Sequence, residues 1–224
     1  MMQLNSILLG LGLLASAGLA QAAPITLYGD RFSVTYDDTQ TGLFGAGALS
    51  GSLDTFFFQP TAFSTFSAGG TTQASSSLQF TITVDTGYSL AGLGLSEWGG
   101  YFLSGGGSVA ASANAQLVNL GTLAASNLAL APGVPLNQAG GTVNWSMSGL
   151  LVPAAGAGDS FQVTFDSLLT SSPVNGIGFI QANYTGFRVI TQPAAVPEPS
   201  SVALLAAGSA ALFGLAALRN RRRA

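Results

Sequence analysis

The sequence predicts an all-β protein: an antiparallel β-sandwich of jelly-roll or immunoglobulin-like kind, flanked by an N-terminal signal peptide and a C-terminal transmembrane helix. Three observations carry that expectation. Four runs alternate apolar and polar residues with a period of two, glycine-rich stretches separate them, and no helical stripe of useful length lies within residues 23–195. Many short strands with one wet face favour a sandwich over a parallel sheet, whose strands would be apolar on both faces.

Residues 1–22 have the form of a secretory signal peptide. An apolar core spans 7–19, and Ala20-Gln21-Ala22 supplies the small-x-small cleavage pattern, leaving Ala23 as the new N-terminus. Residues 1–6 contain no lysine or arginine, so the positive charge there is the α-amino group alone. The partners this segment calls for are the export translocase and signal peptidase.

Residues 23–195 are long enough for one domain of ordinary size. The clearest strands put four sets of residues on their inward sides. These are Phe32, Val34 and Tyr36; Leu78, Phe80, Ile82 and Val84; Val143, Trp145 and Met147; and Phe161, Val163 and Phe165. Weaker candidates lie at 25–28, 53–58, 89–95, 109–117 and 187–190. The run 109–117 fills its inward side with Ala111, Ala113 and Ala115, so it should face a thin part of the core. Turn signals are Gly69-Gly70, Asp85-Thr86-Gly87, Gly99-Gly100, Gly105-Gly106-Gly107, Pro132-Gly133, Gly140-Gly141 and the segment 156–159. A long surface loop is expected around 62–72, and 117–130 reads as a loop or a single helical turn.

Composition excludes more chemistry than it suggests. The chain has no histidine, cysteine or lysine. That removes Ser-His-Asp and Cys-His nucleophilic sites, lysine Schiff bases, and zinc or copper sites built on imidazole or thiolate. No glycine-rich phosphate loop is present. The sequence assigns no catalytic residue, no metal site and no cofactor. Without cysteine there are no disulfides, and stability rests on the core. Across 23–195 eight acids (Asp30, Asp37, Asp38, Asp54, Asp85, Glu97, Asp159 and Asp166) stand against Arg31 and Arg188, a balance of −6. Such a domain argues against nucleic acid or an anionic lipid surface as partner.

One acid stands in company that suggests a ligand. Glu97 is the single glutamate of the domain, Trp98 follows it, and Tyr101 and Phe102 lie close behind. Aromatic rings stack on the faces of sugar rings, and paired carboxylates cleave glycosides. The blander alternative makes Glu97 a solvated strand-end residue while Trp98 and Phe102 fill the core. Asp37, Asp38, Asp159 and Asp166 offer hard oxygen ligands for calcium, but their spacing fits no calcium loop, and aspartates at strand ends commonly form turns. Phe56, Phe57 and Phe58, with Phe63 and Phe66, are expected in the core rather than in an exposed patch.

At the C-terminus, Val196-Pro197-Glu198-Pro199-Ser200 precedes an apolar run over 201–218 and the tail Arg219-Asn220-Arg221-Arg222-Arg223-Ala224. As a helix rising ~1.5 Å per residue, the run falls just short of a ~30 Å hydrocarbon core, and terminal arginines can snorkel to make up the difference. Arg219, Arg221, Arg222 and Arg223 hold this end in the cytoplasm by the positive-inside rule, which places the β-domain outside. Pro197 and Pro199 push Val196 and Glu198 toward extended backbone, so 196–199 should be a stiff spacer next to the membrane with one fixed charge.

This tripartite end, residues 196–224, resembles the PEP-CTERM sorting signal of Gram-negative bacterial proteins. The resemblance implies that an integral membrane cysteine protease, an exosortase, cuts near Pro197-Glu198-Pro199 and removes the helix. The mature protein is then released or passed toward the outer surface, often in bacteria that make exopolysaccharide. The expectation is therefore an exported, non-catalytic envelope, surface or extracellular-matrix protein associated with exopolysaccharide, whose precursor crosses the inner membrane once. Two alternatives stay open: a β-domain anchored permanently on the periplasmic side of the inner membrane, and a carbohydrate-binding or carbohydrate-active protein using Glu97 and Trp98.

Overall fold

The computed structural model describes residues 24–154 and 158–194. The signal peptide with Ala20, Ala22 and Ala23, the motif at 196–200, the apolar run 201–218 and the arginine tail lie outside the described residues. Among the described residues, no helix is long and apolar enough to cross a membrane.

These residues form twelve strands and two short 3₁₀ turns. In chain order the strands are β1 (Ile25–Tyr28), β2 (Phe32–Tyr36), β3 (Gly47–Leu49), β4 (Thr55–Phe58), β5 (Ser64–Ser67), β6 (Thr72–Val84), β7 (Tyr88–Leu103), β8 (Gly106–Asn119), β9 (Ala125–Leu130), β10 (Thr142–Leu151), β11 (Ser160–Val174) and β12 (Gly178–Pro193). They pair into two sheets, ordered β1-β2-β6-β11-β8-β9 and β10-β7-β12-β4-β3, with β5 also on β12. Every pairing is antiparallel. From β5 onward the chain changes sheet at every connection except the β8–β9 hairpin, so both sheets are assembled from distant segments.

The predicted alternation is what buries the core. In β2 the inward Phe32, Val34 and Tyr36 are buried, and in β6 so are Leu78, Phe80, Ile82 and Val84. Trp145 and Met147 of β10 and Phe161, Val163 and Phe165 of β11 complete the same pattern, with Val143 half-buried. The two layers meet at a cluster of phenylalanines. Phe187 of β12 has its ring centroid 4.9 Å from Phe80 and 5.2 Å from Phe165, both on the opposite sheet. Phe56 of β4 reaches Phe80 at 5.2 Å. Phe44, on the second 3₁₀ turn (Gly42–Phe44), packs against Phe63 and Phe165 and joins the same core. The alanines Ala111, Ala113 and Ala115 of β8 are inward and buried, as predicted.

Apart from strands that run longer than expected, such as β7 and β12, the structure departs from the sequence reading at five places. The stretch 62–72 is no long loop, because β5 pairs with the start of β12 and only 68–71 turn. β6 begins six residues before its apolar alternation, since Thr72–Ser77, with little apolar character, is held by backbone pairing to β11. The segment 117–130 is the end of β8, a tight turn and β9; Asn119 Oδ1 accepts from the Gly121 and Thr122 amides and closes that turn. Gly99-Gly100 is the middle of β7. A register shift in β12 between Ala182 and Tyr184 brings the Gln181 carbonyl so close that any Cβ on Gly99 would collide with it. The glycine pair marks a bulge in the neighbouring strand, not a chain reversal. Gly106 and Gly107 likewise lie inside β8, where they pair with Val174 and Pro173.

Candidate functional site

Glu97 and Trp98 are consecutive on β7, so the pleat sends them to opposite faces. Glu97 points into the sandwich and has no exposed surface, whereas Trp98 is 48% exposed on the outer face. Both halves of the blander alternative are thereby reversed: Glu97 is not at a solvated strand end, and Trp98 is not in the core. Nor do the two residues share one contact surface.

The Glu97 carboxyl lies between the layers and accepts a hydrogen bond from Ser167 Oγ of β11, 3.0 Å from either oxygen. Burial pushes its pKa up to about 8, with the Ser167 bond acting in the opposite direction. The carboxyl is therefore protonated at neutral pH. Thr185, its register partner on β12, is also buried, and its hydroxyl has no hydrogen-bond partner. A neutral acid sealed in a core beside two hydroxyls is a structural polar cluster and is out of reach of a substrate.

The outer face of the same sheet carries an aromatic array. Trp98 of β7 and Tyr184 of β12 stand 5.6 Å apart between centroids with planes 13° from parallel. Tyr184 and Phe57 of β4 repeat the arrangement at 5.6 Å and 19°. The Tyr184 side chain lies over Gly186, where any Cβ would strike its ring. A second row crosses the face further along, where register brings Phe66 of β5, Phe179 of β12 and Phe102 of β7 side by side. Between the rows lie Gln181, its partner Gly100, and Asn144 of β10 opposite Gly100. The phenylalanine cluster of the sequence thus divides: Phe56, Phe58 and Phe63 are core, Phe57 is half-buried on the outer face, and Phe66 is 55% exposed.

Among the described residues, charge on this face is confined to one pair. Arg188 Nε donates to Asp54 Oδ2 at 3.0 Å. Asp54 also accepts from the hydroxyls of Ser52, Thr55 and Ser50, which hold its carboxyl below the ordinary range. Partial burial, with the Asp54 charge nearby, raises the Tyr184 phenol.

The opposite sheet presents a different exterior. Its outward side chains include Thr35, Gln79, Thr81, Gln162, Thr164, Asn114 and Gln116. A shallow depression of about 370 Å³ lies there, lined by Asn114, Gln116, Asn127, Thr164 and Asp166 among others. The acids considered for calcium do not gather: Asp37 caps a 3₁₀ turn by accepting from the Thr39 amide, while Asp166 sits mid-strand on β11. Among the described residues, no group of three His, Cys, Asp or Glu side chains could hold a metal ion.

Trp98 was legible as a candidate; its companions were not. Tyr184 and Phe57 are remote in sequence, and only the pairing of β7, β12 and β4 brings them to it. The separation of Glu97 from Trp98 was readable, because adjacent strand residues always face opposite ways.

By its fold the described part of the chain is an antiparallel β-sandwich with a buried neutral acid and one aromatic outer face. β12 ends at Pro193, and the last described backbone bond runs from the Ala194 amide to the Gly87 carbonyl at 2.9 Å. Residues 195–223, directly after it, match the PEP-CTERM protein-sorting motif. The chain therefore carries the C-terminal sorting signal of an exported protein, which implies processing by an exosortase-like membrane protease. No curated protein matches the sequence. Among solved structures it is similar to TmCBM61 in complex with beta-1,4-galactotriose, at 12% identity over 67% of this chain and 94% of that one, with a TM-score of 0.23. It is also similar to one of the carbohydrate-binding modules of the β-sandwich superfamily, at 10% identity over 77% and 99%, TM-score 0.23. A third likeness is to the infectious bursal disease virus Gt strain structure, at 13% over 81% and 60%, TM-score 0.23. Overlays this loose carry no argument about function.

Proposed function

We propose that this is a non-catalytic protein of the cell surface or extracellular matrix, delivered by exosortase processing and associated with exopolysaccharide. The observation that carries the reading is the junction between fold and signal. The sorting motif begins at residue 195, one residue after the last described backbone bond of the sandwich. A cut near Pro197-Glu198-Pro199 therefore severs none of the described strands. In the precursor the β-domain lies outside the inner membrane, and Arg219, Arg221, Arg222 and Arg223 lie in the cytoplasm.

A non-catalytic role is supported by the chemistry available. The chain has no histidine, cysteine or lysine. Its buried carboxyl, Glu97, is enclosed in the core. The test is the intact mass of the protein from its host and from a strain lacking the sorting protease. The expected mature form lacks the first ~22 residues and everything beyond about Pro199, and a helix-bearing species accumulates in the mutant. Retention of Arg219 through Ala224 in both strains would instead establish the permanently anchored periplasmic form.

The carbohydrate-binding alternative is favoured by one observation in altered form. Trp98 is exposed in an ordered aromatic row, but without Glu97 beside it.

A further inference from the structure

We propose that the outer face of the β10-β7-β12-β4 sheet binds a neutral polysaccharide in extended form. Its two aromatic rows pack against sugar-ring faces, and the amides between them meet the hydroxyls. The inference rests on the polysaccharide association proposed above and specifies where, and to what class of polymer, it occurs.

The two sheets differ in what they show to water. Thr, Ser, Gln and Asn side chains dominate the outer face of one, while the other places six aromatic side chains outward: Phe57, Phe66, Trp98, Phe102, Phe179 and Tyr184. The row of Trp98, Tyr184 and Phe57 is held in place before any ligand arrives. Tyr184 is fixed between Trp98 and Phe57 and lies in the space that Gly186 leaves empty. A rigid aromatic with few rotamers loses little entropy on binding.

Charge decides the occupant. Arg188 is engaged by Asp54, and Asp54 is further bound by three hydroxyls, so among the described residues the face offers no free cation to an anionic polymer. The domain's surplus of acids over arginines repels one as well. What remains is a neutral surface of aromatic side chains with the carboxamides of Gln181 and Asn144 and the hydroxyl of Ser146. A neutral sugar has the matching parts, apolar C–H faces rimmed by hydroxyls.

Spacing selects a polymer over a single sugar. Trp98 and Phe102 are four residues apart on β7, about 13 Å at ~3.3 Å per residue. A ligand touching both rows must span several rings. Gly100 lies midway on the same strand, which leaves the path between the rows low.

The test uses the mature protein from its host in native gels cast with the host's own neutral exopolysaccharide, a neutral glucan, a neutral galactan or polygalacturonate. Retardation is expected in at least one neutral gel and none in polygalacturonate. Trp98→Ala and Phe179→Ala should each weaken retardation at least tenfold, Trp98→Phe should restore most of it, and Glu97→Gln should leave it unchanged. Equal melting curves for wild type and Trp98→Ala exclude misfolding as the cause. The proposal is overturned by no retardation in any neutral gel, by preference for polygalacturonate, or by equal retardation of wild type and Trp98→Ala. It is also overturned if Trp98→Ala abolishes self-association while no neutral polymer binds, which would make a second copy the occupant. Export and processing are read separately by mass, so a processed protein that is not retarded refutes the face and leaves the sorting intact.

Discussion

Replacing Glu97 by glutamine should make the protein more stable at neutral pH and remove most of the pH dependence of its stability between pH 4.5 and 8. The wild-type carboxyl titrates near 8 in the folded state, against 4.5 as its ordinary value. Between these limits the folded protein holds a proton that the unfolded chain releases. Stability is therefore fully present below pH 4.5, falls as pH rises, and stops falling above about 8. At ~1.36 kcal/mol per pH unit, the loss reaches about 3 kcal/mol at pH 7 and about 5 over the whole window. That is a large share of a typical domain stability of roughly 5–15 kcal/mol. The window is clean: with no histidine or cysteine in the chain, Glu97 shares it with little beyond the α-amino group. Glutamine keeps the shape and can still meet Ser167 Oγ, but it has no proton to lose. Urea unfolding at pH 4.5, 6, 7 and 8.5 should show wild type and Glu97→Gln nearly equal at pH 4.5 and separated by about 3 kcal/mol at pH 7. Parallel stability curves across that range would refute the reasoning, because Glu97 would then be ionised in the folded protein or solvated.

Three further outcomes follow from the packing and the tail. Phe187→Ala removes the ring that touches Phe80 and Phe165 across the layers. It should cost about 3–5 kcal/mol in denaturant unfolding. Gly99→Ala drives a Cβ into the Gln181 carbonyl and should lower the melting temperature far more than Gly133→Ala, where a Cβ meets nothing. Replacing Pro197 and Pro199 together by alanine should leave unfolding of the purified protein unchanged while precursor accumulates in host membranes, as read by intact mass.

The strands were legible because half-burial writes itself into sequence as a period of two. β1 matches its expected bounds, and the inward residues named for β2, β6, β10 and β11 are buried, with Val143 half-buried. Where the outward or inward side lacked contrast, the reading failed. Thr72–Ser77 carries almost no apolar residue, and 117–130 mixes leucines with alanines and asparagine. Both became strand because a long neighbour, β11 or β8, supplied a ladder to pair with. Gly99-Gly100 misled because glycine marks close backbone approach as readily as it marks a turn.

The all-β class, the buried faces of the principal strands and the sorting signal at the C-terminus are legible along the chain alone. Each depends on order along the chain: alternation, or a motif followed by an apolar run and arginines. Folding sets which strands are neighbours, and with that everything that depends on proximity. It set Glu97 against Ser167, seventy positions away, and made it a neutral core residue. It brought Phe57 and Tyr184 to Trp98 and built an aromatic row from three distant strands. The physical reason is that a side chain's inward or outward sense is local, whereas its environment is set by register between strands that the sequence leaves far apart.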